Sequence, residues 1–323
     1  MSGAVRELRR ARVRAAAKIN LDLRVLGRRP DGFHELRTIF QTVSLADIID
    51  IAFAPGRRAE VSVEDDAGIP DNLMARAARL AMEAMRITGR VEMRLRKRIP
   101  MGAGLGGGSS DAAAVLLALP ALAGGRLSME ELMVLAAQLG SDVPFFLLGG
   151  TAVGIGRGTE LFPLPDAPRW PAVLVAPGIH VDTPGAYAAL SPRLTTESQQ
   201  NKIVSFQAHV WDLGFGKPAG NDFETVVFER HGRLPVLKKA LLRAGASVAM
   251  MTGSGSAVFG LFPNREGASQ AWRRLAGGSG LRAEEKAYRV SLVGRTSYRS
   301  MWTRALAEHI IPGIWPPRSR YMR

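Results

Sequence analysis

Residues 99–111 read Ile-Pro-Met-Gly-Ala-Gly-Leu-Gly-Gly-Gly-Ser-Ser-Asp, with five glycines between positions 102 and 108. Glycine has no Cβ, so its backbone N–H groups can turn close to a ligand. An apolar helix is expected directly behind, from about Ser109 to Leu119. A helix start favours an anion, so the chemistry suggested is a phosphate cradle. A Walker A loop needs Gly-Lys-Ser or Gly-Lys-Thr at its end, and Gly108 is followed by Ser109, which excludes it. A dinucleotide fingerprint matches literally at Gly102, Gly104 and Gly107. Its first strand should be a nearly continuous apolar run, but residues 91–98 alternate apolar and charged side chains. A flexible linker is a poor account too, because Pro100 fixes the entry and a helix follows. The remaining pattern is Pro-x-x-x-Gly-Leu-Gly-x-Ser-Ser, carried by Pro100, Gly104, Leu105, Gly106, Gly108, Ser109 and Ser110.

Other side chains could join such a site. Lys18 and Asn20 stand two residues apart in a strand pattern, so both point to one face. Alone, Lys18 reads as a solvated charge. Asp142, in Gly-Ser-Asp-Val-Pro, could accept a proton. By residue type alone it is more simply a helix N-cap. His34 and Phe33 follow a Pro-Asp-Gly turn, where a histidine is ordinarily a surface residue. Tyr187 reads as a helix packing residue, Asn72 as a helix cap and Lys97 as a solvated strand charge. Residues 252–256, Thr-Gly-Ser-Gly-Ser, could be only a tight connection between strands.

The elements that position these residues are legible in outline. Residues 13–25 alternate with period two and read as one long strand. Shorter strands are expected at 36–43, 47–54, 59–64, 91–97 and 151–156. A helix should begin at Asp71 or Asn72 and end at Gly89. Ser128 and Glu131 form a capping-box pattern for a helix through Leu139. Four prolines between Pro163 and Pro171 mark a domain boundary. Beyond it, strands at 172–176, 247–251, 257–261 and 288–294 mix with helices near 184–190, 222–230, 235–244 and 265–275. Residues 192–220 are poorly patterned and read as a loop. Hairpin-like strands with separate helices make the class α+β. The expected division is a basic arm at 1–12, a first domain at 13–165 that carries the glycine loop, a second domain at 166–294 and a basic extension at 295–323.

Composition narrows the chemistry. The 323 residues contain no cysteine, which excludes disulfides, a thiol nucleophile, cysteine-held zinc and iron–sulfur clusters. The five histidines are not paired at metal-ligand spacing. No apolar run reaches the roughly 18 residues of a membrane span. With no apolar leader after Met1, the expected compartment is the cytoplasm. The net charge is +14. Residues 1–14 supply +4 and residues 295–323 supply +5, leaving +5 for the body, which suits an enzyme of polyanionic substrates. The arginine-rich ends could bind nucleic acid. Without interleaved aromatics, they read more simply as solvated tails.

The glycine loop resembles that of the galactokinase–homoserine kinase–mevalonate kinase–phosphomevalonate kinase superfamily. Three more segments narrow the resemblance: residues 17–21 with 29–34, residues 139–146, and residues 251–256. In that order they resemble the 4-diphosphocytidyl-2-C-methyl-D-erythritol kinase family over roughly residues 13 to 294. The resemblance implies a two-domain kinase with its active site in the cleft between domains. It implies ATP-dependent phosphorylation of a 2-hydroxyl in the non-mevalonate isoprenoid pathway. Asp142 would be the base, with Lys18 beside it and Asn20 at the acceptor alcohol. The loop from Pro100 through Met101, Gly102, Ala103, Gly104, Leu105, Gly106, Gly107 and Gly108 to Ser109 and Ser110 would hold ATP, with Asn72 and Lys97 near the adenine. His34 would read the cytosine edge, between Phe33 and Tyr187, with Thr183, Gly253 and Ser254 nearby. Tyrosine is usual in the family where Phe33 stands, and asparagine is common at Asp111. Magnesium would arrive on the nucleotide, with no protein cage. The expected partners are ATP and the small substrate, with neither membrane nor nucleic acid, in a monomer or weak homodimer. A homoserine- or mevalonate-type kinase is the alternative reading. A basic nucleic-acid-binding protein is a more remote one.

Overall fold

The computed structural model describes residues 8–194, 196–212, 220–277, 280–311 and 315–319. Two sheets organise the chain. Strand β1 (Arg9–Arg28) runs antiparallel to β2 (His34–Pro55), with three register shifts between Ala16 and Gly27. Residues 48–55 of β2 pair with β4 (Gly89–Arg96), which carries β3 (Ala59–Asp65) parallel on its far side. Residues 36–41 of β2 pair instead with β5 (Thr151–Gly156), followed by β6 (Glu160–Pro163). The expected strands at 36–43 and 47–54 are therefore one strand that serves two neighbours.

Helices α1 (Leu73–Met85), α2 (Gly107–Ala123), α3 (Met129–Leu139) and α4 (Val143–Leu148) cover this sheet. Helix α2 is buried from Ser110 to Leu122, as its unbroken Ala/Leu run requires. Helix α1 stops earlier than expected, at Met85. Arg86 turns left-handed there, and Gly89 opens β4. Ser128 and Glu131 cap α3 reciprocally, as their spacing predicts.

The second sheet has the order β10-β7-β9-β8, from β7 (Pro171–Ala176), β8 (Val248–Met251), β9 (Val258–Leu261) and β10 (Lys286–Ser291). Helices α8 (Arg233–Arg243) and α9 (Arg265–Ala276) pack on this sheet, α5 (Thr183–Leu190) packs on α7 (Glu224–Arg230), and α6 (Thr196–Asp212) lies against β1 and β2. The loop expected over 192–220 is largely the helix α6. Its fixing contacts are tertiary. His209 Nδ1 lies 2.9 Å from Asp22 Oδ2, and Lys202 Nζ lies 2.7 Å from Asp222 Oδ2. These ties hold α6 on β1. The polar face of β1 is buried: α6 covers Asp22, while the glycine loop and the 252–256 turn cover Lys18 and Asn20.

The basic ends are not solvated tails where they are described. Arg9–Arg12 belong to β1, and Arg12 pairs with Asp50 at 2.6 Å. Helix α10 (Arg295–Ala305) sinks Tyr298 and Trp302 into the core beneath the first sheet, and Trp315 is only 6% exposed. Apolar anchors between the charges place this segment, and charge counting does not register them.

Candidate active site

The site is built where β1 passes under the glycine loop and the 252–256 turn. Lys18 Nζ donates to Asn20 Oδ1 at 2.9 Å and lies 3.4 Å from Asp142 Oδ2. Lys18 is 3% exposed, while Asp142 is half-buried. Asp142 occupies the N-cap position of α4, yet its side chain makes no capping hydrogen bond. Its carboxylate is turned to the lysine, so geometry favours the chemical reading over the cap. Asn20 Oδ1 also accepts from the Gly253 N–H at 2.9 Å, and Asn20 Nδ2 donates to Thr38 Oγ1 at 2.8 Å. With its oxygen so engaged, Asn20 orients Lys18 and ties β1 to the 252–256 turn. As placed, it does not offer that oxygen to a substrate.

Gly102, Gly104 and Gly106 have φ of +65°, +75° and +69°. Close packing adds to this demand for glycine. A Cβ on Gly104 would meet the Thr252 carbonyl, and one on Gly106 would lie 2.8 Å from the Phe146 ring and 3.2 Å from Lys18 Cγ. The loop carbonyl of Leu105 accepts the Lys18 N–H at 3.0 Å. Helix α2 then starts with no side-chain cap, leaving its first N–H groups available for an anion. Ser110 is committed elsewhere, since its hydroxyl donates to the Ala16 carbonyl at 2.7 Å. Ser109 instead lines a cavity of about 880 Å³, together with Ser141 and Asp142. Met101 is exposed at the loop tip.

Asn72 and Lys97, expected near adenine, are both engaged within the protein. Asn72 caps α1, accepting from the Met74 N–H at 3.0 Å, and its amide donates to Asp65 at 3.3 Å. Lys97 is not a solvated charge. It is buried between Asp47 at 2.5 Å and Asp111 at 2.7 Å, against the first turn of α2. Burial pushes the Asp111 carboxyl up to about 7; Lys97 pulls against this and Asp47 adds to it. A raised carboxyl binds a proton in the folded state at a pH where the unfolded chain does not, so stability falls as pH rises from about 4 towards 7. Asp111→Asn should therefore melt a few degrees above the parent at pH 8, with the gap narrowing as pH falls below 7 and gone near pH 4. Parallel melting profiles across that range would contradict this.

A second group lies on the other side of Asp142. His34 stacks on Tyr187 with ring centres 4.4 Å apart, and its Nε2 lies 2.9 Å from Ser191 Oγ. Burial, helped by Arg28, holds His34 below the ordinary histidine range, so it is neutral at pH 7. The Phe33 ring is 47% exposed, with the Arg157 guanidinium 3.4 Å above its centre. Thr183 Oγ1 lies 2.8 Å from Ser254 Oγ over the catalytic end. Phe33, His34 and Tyr187 thus line one cavity, but Tyr187 offers its face to His34. A base between Phe33 and Tyr187 requires the histidine to swing away.

Three contributors escaped the sequence reading. Thr38 buttresses Asn20, Asn221 donates to the Met251 and Gly253 carbonyls at 2.8 Å, and Arg157 joins the two cavities. Only the glycines flanking Arg157 hinted at an unusual position.

Residues 72–150 match the GHMP kinases N terminal domain, and residues 211–278 match the GHMP kinases C terminal domain. A 4-diphosphocytidyl-2-C-methyl-D-erythritol kinase of Solibacter usitatus is 61% identical over 97% of this chain and 98% of its own length. One from Pelobacter propionicus is 41% identical over 83% of this chain and 95% of its own. A crystal structure of 4-(cytidine 5'-diphospho)-2C-methyl-D-erythritol kinase superposes with a TM-score of 0.73 at 39% identity, covering 88% of this chain and 99% of that one. Homoserine kinase from Cytophaga hutchinsonii has a TM-score of 0.70 at 20% identity, covering 91% of this chain and 98% of its own, which shows a shared fold. The chain belongs to the GHMP kinases and, within them, to the 4-diphosphocytidyl-2-C-methyl-D-erythritol kinase family. It is an ATP-dependent small-molecule kinase. Among the described residues no helix is long and apolar enough to cross a membrane.

Proposed function

We propose that this chain transfers the γ-phosphoryl group of ATP to the 2-hydroxyl of 4-diphosphocytidyl-2-C-methyl-D-erythritol. The observation that carries the reading is the Lys18–Asp142 pair, set between an uncapped glycine-loop helix and an aromatic–histidine cavity. Asp142 takes the proton of the attacking hydroxyl, while Lys18 holds the carboxylate and faces the transferring group. The hydroxyl oxygen bonds to the γ-phosphorus as the bond to the bridging oxygen of ADP breaks. The first N–H groups of α2 hold the phosphates. Among the described residues no three histidine or carboxylate groups gather as a metal cage. The hydroxyls of Ser109 and Ser141 are hard oxygen donors that would fit magnesium carried in on the nucleotide. Bound there, magnesium neutralises phosphate charge. Water-soluble substrates suit a cytoplasmic enzyme.

Incubation with ATP and the cytidine substrate should give ADP and a product heavier by one phosphoryl group, read by mass spectrometry. ADP without that product would refute the reading. The base pocket has its own test. His34 is neutral and at hydrogen-bond distance from Ser191, so it can exchange that partner for a cytosine edge. A lost edge contact costs about 1–3 kcal/mol. His34→Ala should raise KM for the cytidine substrate roughly tenfold and narrow discrimination against its uridine analogue, leaving KM for ATP unchanged. An unaltered cytidine-to-uridine ratio of kcat/KM would remove His34 from base reading.

A further inference from the structure

Strand β5 ends at Gly156 and β6 begins at Glu160, with Arg157 in the turn between them. Gly156 and Gly158, on either side, have φ of +66° and +88°. This tight turn lays the arginine over Phe33, its guanidinium carbon 3.4 Å from the ring centre. A stacked guanidinium keeps its N–H edge free for an anion. The nearby carboxylates are engaged by another arginine: Arg29 pairs with Glu35 at 2.6 Å and with Asp31 at 3.2 Å, and Arg157 acts on Asp31 only through space. Arg157 has no ion pair among the described residues, and its buried Nε donates to no atom.

Its position is as informative as its charge. The smaller cavity, about 310 Å³, holds Lys18 and Asp142, and the larger holds Phe33 and His34. Five residues line both: Leu36, Asp142, Arg157, Thr183 and Tyr187. Arg157 is the one cation among those five. The proposed substrate has its reacting alcohol at one end and its cytosine at the other, with a diphosphate between. If the alcohol meets Asp142 and the base meets Phe33, the diphosphate crosses the shared wall.

Resting on that substrate reading, we propose that Arg157 binds the substrate diphosphate, with Phe33 holding the guanidinium flat and its N–H edge turned to the phosphate oxygens. Arg157 thereby measures the distance between base and alcohol, and Phe33 serves both the base and the arginine.

The test is binding calorimetry with cytidine and CDP, the ATP site being filled with a non-hydrolysable ATP analogue. Arg157→Met keeps an apolar contact with Phe33 and removes the charge. Wild type should bind CDP at least tenfold more tightly than cytidine. The methionine variant should lose roughly 10–100-fold for CDP and less than threefold for cytidine, with Arg157→Lys recovering part of the loss. In turnover, KM for the cytidine substrate should rise while KM for ATP and kcat stay within about twofold. Equal losses for cytidine and CDP would mean that Arg157 only packs on Phe33, overturning the proposal. So would a fall in kcat at constant KM, which would place it on the transferring phosphate. If the methionine variant does not fold, Arg157→Gln must show the same split. Wild type that binds neither ligand would refute the substrate reading, and this inference with it. Wild type that binds both equally would refute this inference alone.

Discussion

Asp142→Asn should lower kcat by about 10²–10⁴-fold, while KM for both substrates moves by less than about threefold. The asparagine preserves shape and removes the proton acceptor, together with the charge 3.4 Å from Lys18 Nζ. Stability should change little, because the carboxylate makes no capping hydrogen bond to α4 and is half-buried. A structural cap would behave oppositely. Its loss typically costs about 1 kcal/mol of stability and spares turnover. Melting temperature and kcat, measured on the same preparation, separate the two roles. Near-normal kcat with a lowered melting temperature would restore the cap reading.

The second large effect lies in the glycine loop. Gly106→Val should cut ATP affinity by more than tenfold and also destabilise the protein, by roughly 2–5 kcal/mol from left-handed strain and overpacking. The loop was expected to need glycine for close approach to phosphate. The structure adds a different constraint at this position, because the Cβ would strike the Phe146 ring and crowd Lys18. Gly106 alone therefore does not isolate phosphate binding. Gly108 does, since the nearest atom to its Cβ is Leu73 Cδ1, at 3.9 Å. Gly108→Ala should keep or slightly raise stability, alanine being the better helix former by about 1 kcal/mol. It should nevertheless weaken ATP at the start of α2. Calorimetry with ATP beside a thermal melt checks both variants. Unchanged ATP affinity in Gly108→Ala would take the phosphates away from this helix start.

Much of the frame was legible because it rests on local signals. The period of β1, the capping box at Ser128 and Glu131, and the strand–loop–helix around Pro100 each depend on neighbours in sequence. Lys18 and Asn20 share a face by strand geometry, and they are hydrogen-bonded to each other. Long-range pairing supplied what was missed. Lys97 reads as a surface charge until β2 brings Asp47 against it and α2 brings Asp111. Helix α6 has weak patterning because Lys202 and His209 dock it through charges on β1 and Asp222. The C-terminal arginines hide the buried Tyr298 and Trp302 beside them. Arg157 shows only its flanking glycines, and Phe33, the ring it stacks on, is 124 positions away.

The Lys18–Asp142 site is proposed to serve the cytidine diphosphate substrate in particular. Side-by-side kcat/KM values for the cytidine substrate, homoserine and mevalonate, each with ATP, test this most directly. The cytidine substrate should exceed both others by at least about 10³-fold, because only it can engage the cavity of Phe33, His34 and Arg157. Turnover of homoserine or mevalonate at a rate equal to or above that of the cytidine substrate would overturn this assignment.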